Sequence, residues 1–201
     1  MNKFFSGLAL AAIITSPVLA ADKADLARAE EIVSGRCFLC HGMDGEAASA
    51  VFPRLAGQNW EYTAKQLSEF KSGKRKSDTM TPQSEDLTPA EMKAIGIYFE
   101  GKQVPGREIT DAELHAVGKF VYHRGNQFSG LPSCASCHGV KGHGTPQLPR
   151  LAGQHPRYTE DQIKQFNKRE RTNDNAVMHT VASKMSELEV HAVAKYISAL
   201  D

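Results

Sequence analysis

Apolar residues recur at helical spacing along most of the chain. Leu26, Ala29 and Val33 fall on one face of a first helix. Leu114, Val117 and Val121 repeat that pattern later, behind Thr110-Asp111-Ala112-Glu113, which has the form of a capping box. A middle helix is predicted from Trp60 to Lys71 and a matching one from Arg157 to Arg169. Thr88-Pro89-Ala90-Glu91 combines an N-cap, proline at the first helical position and a box-closing glutamate, with Met92, Ile95 and Phe99 as the apolar stripe behind it. Ser186-Glu187-Leu188-Glu189 opens the last helix in the same way, ahead of Val190, Val193 and Ile197. No segment alternates as a strand does, so the pattern predicts an all-α fold.

The chain repeats itself. Pro53-Arg54-Leu55-Ala56-Gly57-Gln58 recurs unchanged as Pro149-Arg150-Leu151-Ala152-Gly153-Gln154, an offset of 96. Tyr62, Gln66 and Phe70 match Tyr158, Gln162 and Phe166, Met80 matches Met178, and Tyr98 matches Tyr196. Two copies of so long a period make a duplicated domain, not a solenoid. Glycines and a proline in Gly101-Lys102-Gln103-Val104-Pro105-Gly106 interrupt the helical pattern and place the boundary, giving domains over 21–104 and 105–201.

Residues 1–20 read as an address. Lys3 precedes a mostly apolar run from Phe4 to Val18, and Val18-Leu19-Ala20 fits cleavage after Ala20. The rival reading is an uncleaved anchor, but a membrane span needs about 20 apolar residues. The chain is therefore expected to be exported to the periplasm. Without Lys3 the basic and acidic residues balance at 23 each, which argues against a nucleic-acid binder. The first domain carries 11 basic and 13 acidic residues, the second 12 and 10. The basic runs Lys71 to Lys76 and Lys168 to Arg171 read as solvated helix ends.

The chemistry lies in Cys37-Phe38-Leu39-Cys40-His41, copied as Cys134-Ala135-Ser136-Cys137-His138. Cys-x-x-Cys-His is the attachment pattern of c-type haem: two thiols add across the porphyrin vinyl groups and the histidine reaches the iron. A thiol redox pair or half a zinc site would use the cysteines but not the adjoining histidine. All four cysteines of the chain fall in these two motifs. For the sixth iron ligand the candidates are Met80 and Met178, at matched positions in the loop ahead of each last helix. Met43 lies too close to His41, and Met92 and Met185 match Val190 and Leu87 as core residues. His179 adjoins Met178 but matches Thr81. His115, His123, His143, His155 and His191 match no histidine and are expected at the surface. His/Met coordination fills both axial positions and raises the potential, which suits electron transfer better than oxygen or peroxide activation.

Together these motifs resemble the cytochrome c4 family of exported dihaem electron carriers. The resemblance covers the whole mature chain. It implies two tandem class I cytochrome c domains, each wrapped around one covalently attached haem c. It further implies thioethers at Cys37, Cys40, Cys134 and Cys137, and axial ligands His41, Met80, His138 and Met178. The carbonyls of Pro53 and Pro149 would accept from the proximal imidazoles. The methionine loops differ, Asp78-Thr79-Met80-Thr81-Pro82 against Ala176-Val177-Met178-His179-Thr180, so the two potentials should differ. The function implied is a non-enzymatic carrier of single electrons between redox protein partners, from a quinol-oxidising complex or other donor to a terminal oxidase. The alternative is the electron-accepting subunit of a sulfur-compound dehydrogenase with a flavoprotein partner. A dihaem peroxidase would require an open iron position and a longer chain. Peripheral association with a membrane is left open by the sequence.

Overall fold

The computed structural model of the chain describes residues 23–103 and 105–201. The predicted signal segment lies outside the described residues. In the first half, α1 (Lys23–Ile32) passes through one π turn (Val33–Cys37) into α2 (Phe38–His41). Then come α3 (Trp60–Lys71), α4 (Met80–Ser84) and α5 (Pro89–Glu100). In the second half, α6 (Ala112–Arg124) is followed by α7 (Ala135–His138), α8 (Pro156–Asn167), α9 (Val177–Ala182) and α10 (Glu187–Ser198). Among the described residues there is no strand; one isolated bridge, Asn126 with Leu131, closes the loop between α6 and α7.

The two halves are built alike. The last helix of each is central: α5 packs on α1 and α3, and α10 on α6 and α8. Both open with full capping boxes, Thr88 with Glu91 and Ser186 with Glu189. These fix where each helix starts, because the side chains satisfy N–H groups that have no helical partner. Met92, Ile95 and Phe99 are buried in the first core, and Val190, Val193 and Ile197 in the second.

The structure departs from the sequence reading at α6. Its cap is Asp111, which accepts from the Leu114 N–H, not Thr110. Its buried face is Gly118, Val121 and Tyr122, while Val117 is 40% exposed. The cause is tertiary. Gly118 sits against the backbone of Ala192 in α10, so closely that a methyl group there would overlap the Ala192 carbonyl. That contact turns the helix and brings the glycine, not the valine, inward. Met80 and Met178 also differ from expectation: each lies in the first turn of a short helix, α4 or α9, instead of in a loop.

The repeated PRLAGQ blocks join the halves. The Gln154 side chain accepts from Arg54 N–H at 2.9 Å and donates to Arg54 C=O at 3.0 Å. Gln58 does the same to Arg150, at 2.8 and 2.9 Å. Each glutamine thus satisfies both backbone groups of an arginine in the other half. The symmetry breaks at the next position. Asn59 donates to the carbonyls of Thr145 and Leu148, whereas His155 reaches the carbonyl of Ala47 at 2.7 Å. His155 is 1% exposed, which corrects its expected place at the surface. It was misplaced because its only signal is tertiary: a neutral imidazole sharing two hydrogen bonds at the junction.

Candidate functional site

Each Cys-x-x-Cys-His motif ends in a single short helical turn, α2 or α7, stopped by a glycine with positive φ: Gly42 at 77° and Gly139 at 82°. A side chain is strained in that backbone region, so the residue after the histidine is fixed as glycine by geometry. The first motif is entered through the π turn and the second through the bridged loop after α6. The chain therefore delivers the same turn by two different routes.

His41 and His138 are 6% and 8% exposed. The His41 Nδ1 lies 3.0 Å from the Pro53 carbonyl, and the His138 Nδ1 lies 3.1 Å from the Pro149 carbonyl. A carbonyl only accepts, so each Nδ1 carries the proton and each Nε2 keeps a free lone pair. Burial holds both imidazoles below their ordinary pKa, partly opposed by the carbonyl bond. Both rings are thus neutral, oriented and able to act as ligands.

One continuous cavity of about 950 Å³ is lined by both halves. It takes in both histidines, all four cysteines, Met80 and Met178. Its walls are mainly apolar, with Leu67, Phe70, Ile95 and Phe99 on one side and Ile163, Phe166, Val193 and Ile197 on the other, and charged residues also line it. Met80 packs on the first core and Met178 on one of the two clusters in the second half. The Met80 N–H is held by Ser77 Oγ at 3.1 Å, and the Met178 N–H by the Asp174 carboxylate. Of the rival ligands, Met92 is core, 4% exposed, and Met43 packs against the first core without lining the cavity; Met185 lines the cavity but packs against both clusters of the second half. The two ring nitrogens of His179 face the Phe166 carbonyl and Arg169.

The residues fit a haem group. A planar apolar cofactor needs a large cavity with apolar walls, and an iron bound by soft sulfur and imidazole nitrogen needs those donors without carboxylates. The thiols of Cys37 and Cys134 are kept protonated by burial, the latter pushed up to about 11. Among the described residues no group of three or more His, Cys, Asp or Glu is placed to hold a metal ion, as a zinc site would require. A buried hydroxyl, Thr63 Oγ1, lines the cavity without a hydrogen-bond partner among the described residues.

The cytochrome c family model matches residues 26–125 and again 122–201. A cytochrome c4 of Thiocapsa roseopersicina is 36% identical, over 85% of this chain and 90% of its own. The chain belongs to the cytochrome c4 family. A thiosulfate dehydrogenase electron acceptor of Stutzerimonas stutzeri is 38% identical, over 81% of this chain and 77% of its own. The crystal structure of reduced recombinant cytochrome c4 from Pseudomonas stutzeri superposes with a TM-score of 0.82 at 32% identity, covering 88% of this chain and 98% of that one. The all-α duplicated fold is that of the family, and the chain is a dihaem electron carrier with two covalently attached haem c groups.

Two features of the site escaped the sequence reading. The glutamines of PRLAGQ are junction residues. In addition, Arg75 and Arg171 do not lie on solvated helix ends. Arg171 is 8% exposed, Arg75 is half-buried, and both line the cavity. Their shared offset of 96 was legible, but the basic residues around them hid it.

Proposed function

We propose that the chain is a freestanding periplasmic shuttle for single electrons and is not itself an enzyme. Its two haems are held by Cys37 and Cys40, and by Cys134 and Cys137. The axial ligands are His41 with Met80 and His138 with Met178. The observation that carries this reading is a duplicated one: each buried histidine is bonded through Nδ1 to a proline carbonyl, in a cavity that also holds a matched methionine.

When bound, haem c supplies a one-electron ferric/ferrous couple. The chain's own residues do the rest. The cysteines anchor. Pro53 and Pro149 lock the imidazole tautomer and increase ligand basicity. Methionine sulfur in the sixth position favours the reduced state and excludes exogenous ligands. The apolar walls exclude water. The domains run over 21–104 and 105–201, and residues 1–20 direct export with cleavage after Ala20. The donor is a quinol-oxidising complex or another periplasmic protein, and the acceptor a terminal oxidase. The likeness to a thiosulfate dehydrogenase electron acceptor supports a second reading, in which the donor is a sulfur-compound dehydrogenase.

An optical redox titration of the purified holoprotein tests the assignment. Two one-electron waves and a ferric methionine-ligation band from both haems are expected, with no reaction with peroxide or carbon monoxide. Met80→Ala and Met178→Ala should each lower the potential of one haem. If neither alters spectrum or potential, the ligand assignment is wrong. A stable complex with a flavin-bearing chain would favour the second reading.

A further inference from the structure

One aromatic side chain is held out in solvent by a tightly bonded loop. Phe128 is 93% exposed, in the segment that joins α6 to α7. The loop is tied down on both sides of it. Asn126 and Leu131 exchange both backbone hydrogen bonds, each at 2.9 Å. The Phe128 N–H donates to Asn126 Oδ1 at 3.0 Å. Asn126 Nδ2 donates to the Glu189 carboxylate at 2.8 Å, and Lys184 Nζ to the Gly130 carbonyl at 2.8 Å. Leu131 anchors the loop in the core of the second half. Leu188 stands exposed beside Glu189, and Phe120 is exposed on the helix that leads in. The first half has no such loop. There α1 passes through the π turn straight into its motif, and the exposed side of α1 carries Arg28, Glu30 and Glu31. Large apolar side chains grouped in solvent mark an interaction site, and loops on a rigid scaffold are where such sites are built.

We propose that the 126–131 loop is a docking knob for a protein redox partner. Phe128 enters an apolar socket on that partner, and carboxylates around the socket meet Arg124 and Lys184. The proposal rests on the electron-shuttle reading above. Charge gives the sign of the partner. Arg124 is exposed at the end of α6, and neither it nor Lys184 makes a salt bridge among the described residues. The acids beside them are occupied: Glu187 by Lys164 at 3.0 Å, and Glu189 by Ser186 and Asn126. The knob is apolar at its tip and positive at its base. Place gives the class of the partner. The loop closes at Leu131, and the next residues, Pro132 and Ser133, line the cavity ahead of Cys134. Ser136 and Cys137 are exposed. A protein gripping Phe128 therefore sits beside the open edge of the second site, where an electron would cross. A second copy of the chain fits less well, because a twofold contact would set Arg124 and Lys184 against their own like charges. A lipid surface takes up a continuous apolar face, whereas Phe128 is flanked by Gln127 and Ser129. A rigid aromatic anchor with a charged rim suits a protein socket, where one buried ring carries much of the binding.

The test uses membranes of the organism that makes the protein as the source of its partners. Reduced holoprotein is titrated into an oxygen-uptake assay, and oxidised holoprotein into a quinol-driven reduction assay. Phe128→Ala should raise the half-saturating concentration about tenfold in at least one of the two, at unchanged maximal rate. Phe128→Trp should restore it. Arg124→Glu should raise it at low salt, and that difference should shrink as salt is added. Both haem potentials and the rate of oxidation by ferricyanide should match the unsubstituted protein, which separates docking from damage to the haem sites. If Phe128→Ala leaves half-saturation unchanged in both assays, the knob is overturned. If Arg124→Glu has no salt-dependent effect, the acidic rim is overturned. A sedimenting dimer that Phe128→Ala abolishes would assign the loop to a second copy instead. Phe128-dependent binding to protein-free phosphatidylglycerol vesicles would assign it to lipid, and either result overturns the proposal. Should the unsubstituted holoprotein exchange electrons with neither membrane activity, it is the shuttle reading that fails.

Discussion

His155 is a buried imidazole with a positive neighbour on each side. Its Nε2 donates to the Ala47 carbonyl at 2.7 Å, and its Nδ1 accepts from Arg107 at 2.6 Å. Those two bonds fix the ring as neutral, since a second ring proton would point at the guanidinium. Burial lowers its pKa first; the Ala47 carbonyl opposes this, and Arg107 and Arg54 add to the lowering, against a smaller opposing bond to the backbone of Glu46. The linkage sign follows. The unfolded chain takes up a proton near pH 6.5, while the native state resists until lower pH. Stability is therefore full above about pH 6.5 and falls as pH drops below it. Melting curves of the holoprotein between about pH 5 and 7.5 should show this loss, and His155→Gln should flatten it. His41 and His138 are buried too, but under the proposed iron ligation they would not exchange protons in that range. An unchanged slope in the variant would remove His155 from the account.

Helix contacts depend on two glycines. Gly118 of α6 meets the Ala192 backbone of α10, and Gly96 of α5 meets the Trp60 backbone at the start of α3. Alanine has the better helix propensity by about 1 kcal/mol, yet at Gly118 its methyl group would overlap a carbonyl that cannot move aside. Gly118→Ala is expected to destabilise by about 1–3 kcal/mol in urea unfolding. Gly35 has nothing within 4 Å of the added carbon, so Gly35→Ala should be neutral or stabilising by up to about 1 kcal/mol. A stabilised Gly118→Ala would show that the helices can part. These two positions also show what the sequence could tell. Helix starts at Thr88 and Ser186 were legible because a capping box is a local bargain between residues three apart. The inward face of α6 was not, because it is set by a residue of α10. The histidines and methionines were legible as a repeated chemical pattern. Arg75, Arg171 and His155 were not, since a charged or polar residue reads as solvated unless its burial partners, far away in the chain, are known.

Across the whole molecule the duplication is faithful in chemistry and unequal in charge. The first half lines the cavity with Arg36, Arg54, Lys65, Lys74, Arg75 and Lys76, the second with Arg150, Arg171 and Asp174. Two carboxylates temper the first set, Asp86 on Arg36 and Glu69 on Lys65 and Lys74, and still leave it the more positive. In the repeat, Lys65 corresponds to Asp161 and Lys74 to Glu170, so the second half has acidic residues where the first has lysines. Nearby positive charge favours the reduced, less positive iron. The first-half haem should therefore have the higher potential. Lys65 and Lys74 are 42% and 54% exposed, so each contributes weakly, and the sum is salt-sensitive. The methionine environments push as well: Asn175 and Ala176 both hold positive φ just before α9, a strain absent ahead of α4. The two influences separate by ionic strength, because strain does not respond to salt. In the two-wave titration, Met80→Ala should move the higher wave and Met178→Ala the lower. Raising salt should narrow the gap, and Lys65→Glu with Lys74→Glu should narrow it further. If Met178→Ala moves the higher wave, charge does not set the order. If the gap ignores both salt and the lysine changes, the methionine loops set it instead.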